Sequence, residues 1–177
     1  MFDVLATMLR TGILTEPLAV STEASVQVEA LQKDLRDILG RALCIRHVDA
    51  GSCNGCELEI QALNNPYYNL EGKGVKFVAS PRHADMLLVT GPVSVNMEEA
   101  LKRTYDAVPD PKLVVAVGDC GACGGVFGKS YASRGSIANV IPVDYTVVGC
   151  PPNPVAILNG ILQTVRSPVF DTAGTEK

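Results

Sequence analysis

The chain has 177 residues, of which 47% are hydrophobic and 19% are charged, and its formal net charge at pH 7 is −4. This length suits one domain with a short extension. The negative net charge and the absence of a basic stripe argue against a protein that binds nucleic acid through its phosphates. The apolar composition indicates either an unusually complete core or a surface that other subunits cover.

Residues 1–41 are predicted to form a helical arm. Apolar residues recur at helical spacing within residues 1–10, a Gly/Thr/Pro break follows at 11–17, and a second helix is predicted over 22–39, ending at Gly40. No side chain with an obvious chemical role lies here. We therefore expect the arm to pack on a neighbouring subunit or on the domain's own surface.

Residues 42–166 are predicted to form an α/β domain, followed by a tail at 167–177. Short, continuously apolar runs alternate with helical patterns, which is typical of a parallel sheet covered on both faces. We predict a flavodoxin-like doubly wound sheet. Its strands are expected at 43–48, 75–79, 85–90, 113–117 and 145–148, and its helices at 54–63, 97–107 and 154–165.

The chain gives no sign of export or of a membrane span. It has six cysteines, too few for a small disulfide scaffold, and it opens without a charged segment followed by an apolar run. Cysteines in an intracellular chain more often bind metal or perform redox chemistry than form disulfides. The longest uncharged stretch, residues 145–165, contains Pro151, Pro152 and Pro154, so we expect no transmembrane helix.

Cysteines follow three of the predicted strands. Cys53 and Cys56 lie in the glycine-containing segment 51–56, Cys120 lies in 118–125, and Cys150 lies in 149–152. Because the carboxyl ends of parallel strands meet at one edge of a sheet, these cysteines are expected to converge. A Cys-x-x-Cys pair and two single cysteines supply the four thiolates that an iron–sulfur cluster requires.

Other interpretations of these cysteines stay open at this point. A structural zinc site would use the same thiolates, and Cys120 and Cys123 do form a second Cys-x-x-Cys pair. A thioredoxin-like dithiol at Cys53 and Cys56 would leave Cys120 and Cys150 unexplained. Buried core cysteines are disfavoured, since loops rich in Gly and Pro are not core.

Four ordered motifs resemble one known family. They are Gly-Ser-Cys-Asn-Gly-Cys-Glu-Leu-Glu at 51–59, Ser-Pro-Arg-His-Ala-Asp-Met-Leu-Leu-Val-Thr-Gly at 80–91, Gly-Asp-Cys to Gly-Gly at 118–125, and Gly-Cys-Pro-Pro-Asn-Pro at 149–154. Between about residues 43 and 165 the chain is similar to the small subunit of complex I-related, membrane-bound nickel–iron hydrogenases, the formate hydrogenlyase and energy-converting type.

The resemblance implies a cofactor, partners and a location. Cys53, Cys56, Cys120 and Cys150 would bind the proximal 4Fe–4S cluster. The partners would be a catalytic large subunit that holds nickel and iron, a two-cluster ferredoxin-like subunit, and membrane-embedded subunits. The complex would lie on the cytoplasmic side of the cell membrane, and the chain would be part of an oxidoreductase without a catalytic centre of its own.

Cysteine spacing favours the hydrogenase branch of this resemblance. The related complex I subunit normally carries two adjacent cysteines where this chain has Cys53-Asn-Gly-Cys56. The chain also ends soon after Cys150, without the cysteine-rich extension of uptake hydrogenases, so one cluster is expected. A complex I-type quinone or ferredoxin oxidoreductase subunit remains the alternative.

Two further cysteines and two acidic residues receive simpler interpretations. Cys44, inside a predicted strand, is expected to be a small buried hydrophobe. Cys123 is not required by the family pattern. Glu57 and Glu59 are acids of the kind favoured in the first turns of a helix, or they carry protons between two subunits.

Polar residues next to two of the motifs complete the expectations. Arg82 and His83 are expected near the edge of the cluster, where a guanidinium would favour the reduced state. The simpler alternative for Arg82 is a salt bridge or a hydrogen bond within its loop. His47 and Asp49 are expected to be local hydrogen-bond partners.

Overall fold

The computed structural model describes residues 40–167 without a gap, together with residues 10, 29–30, 32–34 and 37. The described positions before Gly40 are helical. The rest of the predicted arm, and the tail from residue 168 onward, lie outside the described residues.

In the described part of the chain, five parallel strands form one sheet in the order β2-β1-β3-β4-β5. This order is the doubly wound flavodoxin-like arrangement, so the predicted fold class is confirmed. Every residue of β3 and β4 is buried, as expected for central strands with helices on both faces. The strands are β1 (Leu43–Asp49), β2 (Val75–Phe77), β3 (Met86–Thr90), β4 (Leu113–Val117) and β5 (Tyr145–Val147).

Within residues 40–167, four α-helices accompany the sheet, and the core lies on its two faces. Alternate residues of the central strands β3 and β4 enter opposite clusters: Leu88 packs with residues of α1 and α4, whereas Leu87 packs with Leu101 of α2. The helices are α1 (Gly55–Ala62), α2 (Val95–Ala107), α3 (Gly118–Cys123) and α4 (Pro154–Val165), and short 3₁₀ turns occur at Glu71–Lys73, Pro81–His83 and Ile137–Asn139.

The last helix begins where its sequence signals indicate. Asn153 caps it by accepting a hydrogen bond from the Ala156 N–H at 2.7 Å, and Pro154 occupies its first turn. The uncharged stretch 145–165 therefore divides into β5, a loop and a helix of twelve residues. Among the described residues, no helix has the length and apolar character needed to cross a membrane.

Helix α3 is a correction to the predicted architecture. Its sequence, Gly-Asp-Cys-Gly-Ala-Cys, contains two glycines and suggests a loop, because glycine is a poor helix former. The helix forms because it packs tightly: a Cβ at Gly121 would lie 2.8 Å from Ile137 Cδ1. Tertiary packing, rather than helix propensity, thus produces this turn of helix.

The described part of the arm packs on the domain's own surface, one of the two expected places. Asp34 Oδ2 accepts a hydrogen bond from Arg166 Nε at 2.6 Å, just after the end of α4. Ala30 packs against the core cluster that contains α4. These contacts join the arm to the face of the sheet that α1 and α4 cover.

Candidate functional site

The three cysteine-bearing segments converge at the carboxyl edge of the sheet, as predicted. They leave β1, β4 and β5 and surround one cavity of about 140 Å³. Its lining residues are Ser52, Cys53, Gly55, Cys56, Gly91, Asp119, Cys120, Gly149, Cys150 and Pro151. The four predicted ligand cysteines all contribute to this lining.

The turn after β1 places the first two cysteines. Asp49 Oδ1 accepts hydrogen bonds from the N–H groups of Gly51 and Ser52, at 2.8 and 2.7 Å, which confirms Asp49 as a local partner. Asn54 adopts a left-handed conformation at φ 71° and begins α1. Cys53 is exposed in this turn, whereas Cys56 is buried in the first turn of the helix.

Glycines bring the backbone close to the sulfur atoms. A Cβ at Gly118, where φ is +84°, would lie 2.7 Å from Cys56 Sγ, and one at Gly125 would lie 2.8 Å from Cys120 Sγ. Any larger residue would collide with a thiol at either place. This close approach is typical of sites where main-chain groups surround metal-bound sulfur.

Burial and neighbouring groups raise the pKa of two of the cavity thiols. Burial is the main reason that the pKa of Cys56 rises to about 12, and Glu57 and then the other three cavity cysteines raise it further. Burial likewise raises the pKa of Cys120, followed by Cys150 and Cys53. Thiolates gathered this closely need a compensating positive charge, which a metal centre supplies.

The four thiols line a cavity and do not meet at a site for a single metal ion. Among the residues that the structure describes, no three His, Cys, Asp or Glu side chains are arranged to hold a metal ion directly. The four cysteines instead line a cavity at its wall. The donor set therefore fits a thiolate-bound group that fills the cavity, as an iron–sulfur cluster does.

The two remaining cysteines lie outside the cavity lining. Cys123 is exposed at the end of α3, with its Sγ 3.3 Å from the Asp119 carbonyl oxygen. Cys44 lies in β1 as predicted but is only partly buried, which corrects the expectation of a core side chain. Its register neighbour Lys76, in the short edge strand β2, is exposed, so this part of the sheet is incompletely covered.

Glu57 is buried, although an acidic residue that only interacts favourably with the N-terminus of a helix can remain exposed to solvent. It lies in the first turn of α1 as expected, but both of its carboxylate oxygens are buried without a hydrogen-bond partner among the described residues. His47 Nε2 lies 3.8 Å from its Oε1. Glu59, two residues later, is only half-buried.

His47 makes the local contact that the sequence predicts. Its Nε2 lies 3.1 Å from Thr90 Oγ1 at the end of β3. Burial lowers the pKa of His47, and the neighbouring carboxylates of Glu57 and Asp49 only partly oppose this. The imidazole therefore favours its neutral form more than an exposed histidine does.

Beside the cavity lies a larger cleft that sequence reasoning missed. It has a volume of about 490 Å³ and runs between α1 and the end of β2. Its residues come from separate segments without a shared motif, so no local sequence signal could have revealed it. The lining consists of Arg46, His47, Asp49, Asn54, Glu57, Ile60, Gln61, Asn64, Phe77, Val78 and Ala79.

Arg82 and His83 are not at the cavity, contrary to the prediction. Both are exposed in the 3₁₀ turn Pro81–His83, and neither contributes to the cavity lining. This turn leads into β3, whose first residue pairs with Ile45, four positions before β1 ends. The following strand therefore separates Arg82 from the carboxyl edge of the sheet.

The fold and the cysteines define a class of protein: a doubly wound α/β subunit with a thiol-lined site at the carboxyl edge of its sheet. Residues 53–164 match the family model described as NADH ubiquinone oxidoreductase, 20 Kd subunit. The chain belongs to this family, whose members are subunits of oxidoreductase complexes.

Individual relatives connect the chain to membrane complexes. It is 50% identical over 124 residues to the probable membrane-bound hydrogenase subunit mbhJ of Pyrococcus furiosus, a match that covers 70% of this chain and 74% of that protein. It is 39% identical over 144 residues to formate hydrogenlyase subunit 7 of Escherichia coli, covering 81% of this chain but only 56% of that longer protein.

A solved structure shows the same fold. A chain of the membrane-bound sulfane sulfur reductase, an archaeal respiratory membrane complex, superposes with a TM-score of 0.63 at 30% sequence identity. The alignment covers 84% of this chain and 83% of that chain.

Proposed function

We propose that this chain is the electron-transfer subunit of a membrane-bound nickel–iron hydrogenase and holds the proximal 4Fe–4S cluster. The observation that carries the proposal is the convergence of Cys53, Cys56, Cys120 and Cys150 on one cavity. When bound, such a cluster supplies reversible one-electron transfer, with a potential set by its surroundings. The hydrogenase and formate hydrogenlyase relatives support the choice of complex.

The chain's own residues then have distinct tasks. The four cysteines provide the thiolates, and Gly118 and Gly125 leave room for backbone beside two of the sulfurs. Cys56 is buried, whereas Cys53 and Cys150 are exposed. A partner that covers the exposed side would shield these two thiolates from water.

Exposed apolar side chains near the cavity support such a partner. Leu58 follows Cys56 by two residues, Val148 precedes the cavity-lining Gly149, and Val126 and Phe127 follow Gly125. Val126 is 91% exposed and Val148 is 69% exposed, which is unfavourable unless another surface covers them. We assign this surface to the catalytic large subunit, which would hold nickel and iron and reduce protons or oxidise H₂.

The other components follow from the same proposal. A two-cluster ferredoxin-like subunit would exchange electrons with this chain, and membrane-embedded subunits would hold the complex on the cytoplasmic side of the cell membrane. The relatives' names place them in membrane-bound or formate-linked hydrogenase assemblies. The proposed relay therefore connects the ferredoxin-like subunit and the large subunit through this chain.

A second candidate is a complex I-type quinone or ferredoxin oxidoreductase subunit. The description of the family model favours it directly. The spaced pair Cys53 and Cys56 weighs against it, since the complex I subunit usually has adjacent cysteines there. A zinc-binding structural module, the candidate of another class, would need the thiolates to meet at one ion.

The test compares two activities on one preparation of the purified complex. If the relay passes through this site, the Cys56→Ala complex should lose H₂ evolution driven by its physiological donor. Hydrogen–deuterium exchange at the nickel–iron centre should persist, because it needs no net electron flow. The Cys123→Ser complex, altered at an exposed thiol outside the cavity, should keep both activities.

Two results would overturn the proposal. Wild-type membranes that show neither activity but reduce a quinone through this subunit would establish the complex I-type function. Anaerobic material with stoichiometric zinc, no iron and no visible absorbance would establish the zinc module.

A further inference from the structure

Two hydrogen bonds join the segments that carry Cys120 and Cys150. Asp119 N–H donates to the Gly149 carbonyl oxygen at 2.9 Å, and Gly149 N–H donates to Asp119 Oδ1 at 2.7 Å. Asp119 directly precedes Cys120, and Gly149 directly precedes Cys150. The pair therefore links two of the proposed ligands through their immediate neighbours.

These bonds lie just beyond the end of the sheet. The ladder between β4 and β5 ends at the pair Val117 and Val147, so no strand pairing holds the two segments further along. Gly149 has a φ of +136°, and a Cβ there would lie 2.7 Å from Pro152 Cα. No side chain fits at Gly149 itself. The side chain that holds this loop by a hydrogen bond is therefore that of Asp119.

Asp119 also lines the cavity. It directly precedes Cys120, which lines the same cavity. Its carboxylate therefore places a negative charge beside a proposed ligand, besides its hydrogen bond to the loop.

We propose that Asp119 is a positioning residue that sets the separation of Cys120 from Cys150, and that its negative charge lowers the midpoint potential of the bound group. This inference rests on the proposed iron–sulfur function. The positioning effect comes from the hydrogen bond that Oδ1 accepts from the Gly149 N–H. This bond is strong because its acceptor is an ionised carboxylate. The potential effect comes from the charge itself, because an added electron is disfavoured beside a carboxylate.

Two substitutions separate these effects in the purified complex. Asp119→Asn keeps an oxygen that can accept from Gly149 N–H but removes the charge. Its iron should be retained, while a redox titration followed by EPR should show a more positive midpoint. The reduced-to-oxidised ratio at the wild-type midpoint should rise about threefold or more.

Asp119→Ala removes both the acceptor and the charge. Iron release to a chelator should accelerate about tenfold, as expected from losing a charge-assisted hydrogen bond. Asp106→Asn, the same change of charge at an exposed position of α2, is the control and should alter neither measurement.

Each result decides a part of the inference. An unchanged midpoint in the Asp119→Asn complex would remove the electrostatic role, even if the Ala variant did not assemble. Wild-type iron release in the Asp119→Ala complex would remove the positioning role. The iron content and EPR spectrum of the wild-type complex test the proposed function separately, because they do not depend on either variant.

Discussion

At the amino edge of the sheet, Asp85 and Asp144 accept hydrogen bonds from strand N–H groups, whereas at the carboxyl edge the strands end in thiols and glycines around a cavity. Asp85 Oδ2 accepts from Cys44 N–H at 2.9 Å, and Asp144 Oδ2 accepts from Val114 N–H at 2.7 Å. Arg41 pairs with Asp85 as well. The polar groups of this edge thus find partners within the chain itself.

The carboxyl edge is arranged differently because its four cysteine thiols converge on one cavity without forming disulfides. Burial, followed by neighbouring charged groups, raises the pKa of Cys56 and of Cys120, and the glycines bring the backbone close to these two sulfurs. The comparison suggests that one edge stabilises the domain, while the other is prepared for a group that the chain does not supply. Two cysteines illustrate the contrast: Cys44 lies near the start of β1, at the amino edge, whereas Cys56 lines the cavity at the carboxyl edge.

The largest expected difference between the edges concerns the cysteines. Replacing Cys53, Cys56, Cys120 or Cys150 with Ala should abolish the iron–sulfur centre, because each removes one of four thiolates. Cys44→Ala, at the amino edge, and Cys123→Ser should retain it. Iron content and visible absorbance of anaerobically purified complex are the measurements, and loss of the centre in Cys123→Ser would reassign the fourth ligand.

A second test adds a methyl group to the carboxyl edge. Gly118→Ala should displace Cys56 Sγ, since the new Cβ would lie 2.7 Å from it, and should lower the iron content per chain. Gly128→Ala is the matched control: it also has a positive φ, at +56°, but no atom lies within 4 Å of the new Cβ. Both variants carry left-handed strain of about 1–2 kcal/mol. Equal iron retention in both would mean that the cavity tolerates the change.

A third test addresses the amino edge. Asp85→Ala should destabilise the domain by about 1–3 kcal/mol, because it leaves the Cys44 N–H without its partner. The ion pair adds little, since Arg41 is largely exposed. The thermal midpoint of the complex should fall while its EPR spectrum stays unchanged. A changed spectrum would show that the two edges are not independent, and Asp106→Ala on the surface of α2 is the control.

The smallest expected effect is a dependence on pH near the carboxyl edge. Because burial lowers the pKa of His47 below the ordinary 6.5, the unfolded chain binds a proton more readily than the folded one. Stability contributed by neutral His47 is therefore complete above pH 6.5 and is lost as the pH falls through the folded pKa. His47→Gln should flatten the fall in thermal midpoint over this window. The exposed His83→Gln should leave it unchanged, and the same flattening in both would contradict this account.

Much of the architecture was determined by the sequence itself. Continuous apolar runs alternating with helical patterns predicted each of the five strands, and helix α4 begins and ends where Asn153, Pro154 and the apolar spacing indicate. The positions of four cysteines after strands predicted their convergence, because parallel strands end at one edge. These features depend on local periodicity and on a general rule of topology.

Tertiary structure alone decided the features that join distant segments. Helix α3 forms by packing against Ile137 in spite of its glycines, and Asp119 bonds to a loop thirty residues away. Arg82 precedes β3 and so lies away from the cavity, although its motif suggested the site. The buried Glu57 of α1 likewise lies beside His47 of β1, whose Nε2 is 3.8 Å from its Oε1. Such contacts arise from how completed elements pack together, which the spacing of residues along one segment does not encode.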